Sequence, residues 1–162
     1  MIEIESANAG CPGLARLEPD DQAIVGRFFH RLSAQSLYRR FFSPIAREDH
    51  FVASVLRSDR LERDAVAAVE GGEIIGVAQY SRQPGAAEAE LALIVADDWQ
   101  RQGIGTRMIA ALADRAVERG ITAFAVDVQG DNYGALKLLR RVAPDVRLAF
   151  SGGVGEGAFP IV

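Results

Sequence analysis

A single cysteine, Cys11, in 162 residues excludes an internal disulfide, which fits a reducing compartment. It lies in Gly10-Cys-Pro-Gly13, a loop composition, and no base near it in sequence would make it a catalytic thiol. The two histidines, His30 and His50, fall in separate segments without cysteines or paired-carboxylate spacing around them, so no metal site is indicated. No apolar run approaches the ~20 residues that span a bilayer, and the acidic opening Met1-Ile-Glu-Ile-Glu5 does not resemble a signal peptide. A cytoplasmic protein without a membrane partner is expected. The net charge of −4 argues against a nucleic-acid partner and favours cationic acceptors. Repeats, low-complexity tracts and linkers are absent, and the oligomeric state stays open, with room for a homodimer.

What is present suits one domain over residues 1–162: 49 % hydrophobic and 25 % charged residues, ordinary for a globular chain of this size. Leu14 to Leu17 reads as a short first strand. Pro19-Asp-Asp21 opens a helix with Ile24, Val25, Phe28, Phe29 and Leu32 on one face. A second helix is expected over Gln35 to Phe42, broken by Ser43-Pro44, and a third from Ala46 to Ser58. Ala65 to Val69 and Ile74 to Tyr80 form a hairpin about Glu70-Gly-Gly-Glu73, and Glu88 to Val95 is the next strand. Gly103 to Arg119 is a helix facing inward through Ile104, Met108, Ile109, Leu112 and Val117, with Gly120 at its C-terminal cap. Thr122 to Val128 is a strand parallel to the preceding one, because a helix intervenes. Asp131-Asn132 starts a last helix to Arg141, and Val146 to Phe150 with Ala158 to Val162 make a closing hairpin around a glycine-rich turn.

The most informative stretch is Leu93-Ile-Val-Ala-Asp-Asp-Trp-Gln-Arg-Gln-Gly-Ile-Gly-Thr-Arg-Met108, where an apolar strand empties into a glycine-spaced turn that opens a helix. Gly103 and Gly105 lack the Cβ atoms that would hold a ligand off the backbone. The first helical N–H groups have no intrahelical acceptor, and the helix dipole favours an anion there. A dinucleotide fingerprint would place a glycine where Met108 stands, and a nucleoside triphosphate loop would need Gly-Lys-Ser/Thr. A turn that binds nothing is the remaining alternative.

The spacing Gln100-x-x-Gly103-x-Gly105, with Val95 five residues ahead, resembles the acyl-CoA pyrophosphate loop of the GNAT (GCN5-related N-acetyltransferase) superfamily, and the element order matches over nearly the whole chain. The resemblance implies an α/β GNAT fold: a mixed central sheet of about seven strands, mostly antiparallel, with a splayed parallel pair at the centre, flanked by helices. It implies acetyl-CoA as acyl donor, without a metal. Pantetheine would enter between the two splayed strands and meet the main chain of Ile94 and Val95, whose amides could also polarise the thioester carbonyl. Gln100, Arg101, Gln102, Gly103, Ile104, Gly105 and Thr106 would hold the pyrophosphate. Asn132 is either a helix cap or a CoA contact. Ser33-Ala-Gln-Ser-Leu-Tyr-Arg-Arg-Phe-Phe42 together with Ala89 to Gln100 is similar to the GNAT domain of bacterial protein lysine acetyltransferases. Those enzymes are often fused to a cyclic-nucleotide-binding or acyl-CoA-synthetase-like domain, for which this chain has no room. Tyr38 to Phe42 reads either as an amphipathic helix with aromatics inward and arginines solvated, or as a wall of the acceptor groove.

Acetylating an amine requires its neutral form, yet a lysine has a pKa near ~10.4. Glu90 shares a strand face with Ala92 and Ile94, an apolar setting that would suit a carboxylate to take the proton, and the resemblance puts the family's base at this position. Pairing with Arg82 is the competing role, and Glu88 is the next candidate base. Leu139 occupies the position where many relatives carry a tyrosine acid, and Tyr133 is too early in its helix to replace it. The expected function is acetyl-CoA-dependent acetylation of an amine, a protein lysine, by direct attack in a ternary complex. The alternatives are a small-molecule amine acetyltransferase and a non-catalytic acyl-CoA-binding module.

Overall fold

The computed structural model describes residues 2–6, 10–43 and 46–162. Its elements are β1 (Glu3–Ser6), β2 (Gly13–Arg16), α1 (Gln22–His30), α2 (Ala34–Phe41), α3 (Glu48–Leu56), β3 (Arg63–Glu70), β4 (Glu73–Ser81), β5 (Glu88–Val95), α4 (Ile104–Glu118), β6 (Ala123–Gln129), α5 (Tyr133–Val142), β7 (Ala149–Ser151) and β8 (Val154–Pro160). Among the described residues, one eight-stranded sheet runs β1-β2-β3-β4-β5-β6-β8-β7, and only β5 and β6 pair in parallel. The fold is the mixed, helix-flanked sheet expected, with one strand more. That strand, β1, pairs antiparallel with β2. Its alternation of Ile with Glu is readable as a strand, but only the β2 edge makes it one.

Two cores lie on the two faces of the sheet. One gathers Tyr80, Leu91, Met108, Leu112, Ile121 and Phe124 beneath α4 and α5. The other gathers Val25, Phe28, Phe51, Val77 and Ile94 beneath α1, α2 and α3. Period-two alternation feeds both: on β5, Ala89 and Leu91 enter the first core and Ile94 the second. Ser33 caps α2 by accepting a hydrogen bond from Ser36 N at 3.1 Å. The helix ends at Phe42, in the left-handed region at φ 54°. Pro44, expected to break it, lies outside the described residues.

Two local readings change. Val117 is not inward: it is 39 % exposed, while Ala116 is fully buried, because the 100° helical step carries position 117 past the buried face. The closing hairpin is tighter than expected, turning on Gly152 and Gly153 at φ 59° and 80°, so β8 starts at Val154 and its glycines are strand residues. They are demanded by close approach: a Cβ on Gly157 would lie 2.7 Å from the Arg147 carbonyl oxygen, and one on Gly155 2.8 Å from the Phe150 ring.

Candidate functional site

The parallel pair opens into a fork. Ladder pairing between β5 and β6 covers only Glu88 to Glu90 against Ala123 to Ala125. Beyond it β5 stays bonded to β4 as far as Val95 opposite Gly76, while β6 follows β8 to Gln129 opposite Val154. The inner edges of both strands therefore leave main-chain groups without a ladder partner. A cleft of about 1010 Å³ occupies the gap, and Glu90 stands at its apex, the last residue of β5 paired with β6.

At the mouth, Gly103 forms the start of α4 at φ 80°, a conformation that favours glycine, with no side-chain cap. A Cβ there would meet nothing within 4 Å, so Gly103 serves the backbone turn and leaves its flank open. Gly105 has another task, since a Cβ on it would sit 2.9 Å from Leu138 Cδ2; the missing side chain lets α5 pack against α4. Ligand clearance alone therefore does not account for either glycine. Thr106 Oγ1 is buried with no hydrogen-bond partner among the described residues. An uncapped helix start beside an orphaned hydroxyl fits a phosphate-bearing ligand.

The remaining loop residues divide. Arg101 lines the cleft at φ 65°, and Ile104 is a core side chain that can offer only its amide. Gln100 Nε2 donates to the Val95 carbonyl at 3.0 Å, and Ser36 donates to Asp97 Oδ1 at 2.9 Å, so α2 is tied to the loop. Gln102 turns away, donating to the Asp98 carbonyl at 3.2 Å, and its side chain is not part of the cleft wall. Asn132 Oδ1 accepts from Ala135 N at 3.2 Å as the cap of α5, and the residue also borders the cleft. Ile94 and Val95 line it as well.

Glu90 is exposed, not set among apolar groups as expected, because the splayed strands leave the fork open to water. Its carboxylate makes no ion pair or hydrogen bond among the described residues. Its anticipated competitor, Arg82, bonds to Glu62 at 2.7 Å instead. Glu88 does not line the cleft. Asp127, which sequence reasoning passed over, does: it lies two residues past Ala125, the partner of Glu90, on the same face of β6. Only the β5–β6 register brings it near. Leu139 is 5 % exposed in the core, and Tyr133 is 74 % exposed at the cleft rim.

The helix α2 is part of the wall. Arg39, Arg40, Phe41 and Phe42 line the cleft, while Leu37 is the buried residue of this helix. The Arg40 guanidinium lies 4.6 Å from the Phe41 ring centroid, and with the Gln79 amide turned so that its oxygen faces Arg40, it donates to that oxygen. Burial pulls its pKa below the ordinary guanidinium value. Beneath β3 and β4, Asp64 is buried and accepts from Arg119 at 2.6 Å, which also donates to Tyr80 Oη at 3.0 Å. Burial raises the Tyr80 pKa and works against the charge of Arg119, but the hydrogen bonds that Arg119 donates to Asp64 and Tyr80 outweigh it there and raise the Arg119 pKa.

A sheet split between its parallel strands, with a helix start at the mouth of the split, defines the acetyltransferase fold of the GNAT class. Residues 30–143 match the Acetyltransferase (GNAT) family, and the chain belongs to that family. It is 31 % identical over 113 residues, 68 % of its length, to Acetyltransferase Pat of Mycolicibacterium smegmatis, of which it spans 34 %. The GNAT domain of S. lividans PAT superimposes with a TM-score of 0.82 at 28 % identity, covering 92 % of this chain and 90 % of that one. YncA of Salmonella typhimurium, solved with its cofactor acetyl-CoA, shares the fold at a TM-score of 0.72 and 13 % identity, covering 92 % of this chain and 93 % of that one.

Proposed function

We propose that this GNAT acetyltransferase moves the acetyl group of acetyl-CoA to a lysine amine of a protein, by direct attack in a ternary complex. One observation carries the reading: a carboxylate, Glu90, stands at the apex of the same cleft whose mouth is the uncapped start of α4. Acetyl-CoA would supply an activated thioester carbonyl. The amides of Arg101 to Thr106, with the Thr106 hydroxyl, would hold its phosphates, and Arg101, Lys137 and Arg141 line the cleft as further cations. Glu90 would take a proton from the amine as the C–N bond forms and the C–S bond breaks. No tyrosine is required of this chain, because a thiol leaves readily near neutral pH and water can protonate it. Support for the donor comes from a fold relative described with acetyl-CoA. Support for a protein lysine comes from the likeness to Pat.

The test is a pair of measurements. Acetyl-CoA at about a hundred times its Kd should stabilise the folded protein by about 2.7 kcal/mol, a rise of roughly 5–10 °C in Tm for a domain of this size, with no rise from NAD or ATP. Thiol release should then depend on an added lysine peptide. Preference for spermidine or aminoglycosides would indicate a small-molecule enzyme, and a Tm shift without turnover on any amine would indicate a binding module.

A further inference from the structure

The acceptor end of the cleft is basic, contrary to what a net charge of −4 suggests. Arg63 opens β3 opposite Ser81, and Ser81 lies opposite Glu90. Residues paired across neighbouring strands share a face, so Arg63 and Glu90 stand on one face, two strand spacings or roughly 10 Å apart at Cα. Over them α3 ends at Arg57, and α2 contributes Arg40. All three arginines line the cleft, and none forms an ion pair among the described residues. Arg27, Arg31, Arg47 and Arg60, away from the cleft, each do.

The carboxylates do not compensate. Asp20, Asp21, Glu48, Asp49 and Asp59 all lie off this cleft. Asp21 accepts from Glu18 N, Glu48 pairs with His30 and Asp49 with Arg47. Asp64 borders the cleft but is held by Arg119 and Arg115 on the α4 side of the sheet. That leaves Glu90, at the fork, and Asp127, on the β6 wall. A guanidinium drawn from water without a carboxylate, as Arg40 is, carries a desolvation cost that a bound anion would offset.

We propose that Arg40, Arg57 and Arg63 form an anion-recognising subsite for the acceptor, selecting an amine that carries a carboxylate close by, as a lysine flanked by Asp or Glu does. The subsite rests on the acetyl-transfer reading above, and its test separates the two. Three single-lysine peptides of equal length, with Asp/Glu, Ala or Arg flanks, are compared by kcat/KM. The expected order is acidic over neutral over basic, with about a tenfold gap between acidic and neutral, as two exposed ion pairs would give. The gap should shrink at about 0.5 M salt, where screening acts over a few ångström. Arg57→Glu with Arg63→Glu should invert the order while leaving the Kd for acetyl-CoA unchanged, since both residues stand apart from the Arg101 to Thr106 loop. Equal rates across the series, a preference for basic flanks, or an order unmoved by charge reversal would overturn the subsite while transfer itself stands. Thiol release with no amine accepted would instead overturn the transfer reading, and the subsite with it.

Discussion

Replacing Glu90 by Gln keeps the side chain's size and removes its ability to take a proton. Because Glu90 is exposed and its carboxylate makes no ion pair or hydrogen bond among the described residues, the change should alter stability by less than about 0.5 kcal/mol, or roughly 2 °C in Tm. Catalysis should respond quite differently. A positioned general base contributes about 10²–10⁴-fold, so kcat/KM near pH 7 should fall by at least the lower figure, with the Kd for acetyl-CoA unchanged. The variant would depend on amine that is already neutral, about one molecule in a thousand at pH 7.4 for a lysine of pKa ~10.4. Its rate should therefore climb about tenfold per pH unit toward pH 10, while the parent's profile rises less steeply. Thiol release measured across pH 7–10, with a binding titration at each end, reads both effects. An unchanged kcat/KM at pH 7 in a folded Glu90→Gln protein would refute the assignment. Asp127, across the fork, would then be the carboxylate to remove.

Gly103→Ala forces a left-handed backbone on a residue with a Cβ, costing about 1–2 kcal/mol, and should weaken the acetyl-CoA thermal shift; equal stability and an equal shift would refute the turn argument. Gly105→Val should act through Leu138, loosening α5 from α4, so it should lower Tm in the absence of any ligand. Asp64→Ala takes the carboxylate from Arg119, which is 16 % exposed, while Arg115 keeps Glu5, at a cost of about 3–5 kcal/mol; a loss under 1 kcal/mol in urea unfolding would show the network to be replaceable by water. Hydrogen bonds from the Arg63, Leu61 and Glu62 amides hold the Asp59 carboxylate below its ordinary pKa. A group depressed in the folded state lends stability above its unfolded pKa and loses it as the pH falls through the folded one. Acid unfolding of Asp59→Asn should accordingly show a shallower fall in stability below about pH 4 than the parent. Identical slopes would refute it.

The strand, turn and helix rhythm of this chain was legible because local rules govern it. The 3.6 period placed α1, α4 and α5, and Glu70-Gly-Gly-Glu73 set the β3–β4 hairpin. Gly103 announced the turn into α4, since few other residues adopt φ 80°. The strand β1 was missed because a four-residue edge is defined by its partner. Gly155 and Gly157 were read as loop because the chain that forbids their side chains, Arg147 to Phe150, becomes adjacent only on folding. The arginines along the cleft are invisible in the net charge for the same reason. Net charge is a sum over composition, whereas the charge of a site depends on which acids are consumed elsewhere and which strands lie in register. Sequence determined that a carboxylate stands two residues into β5 and that a glycine turn follows. Tertiary structure alone decided that β5 and β6 part at that carboxylate, because ladder pairing between distant segments is a long-range choice that no local propensity encodes.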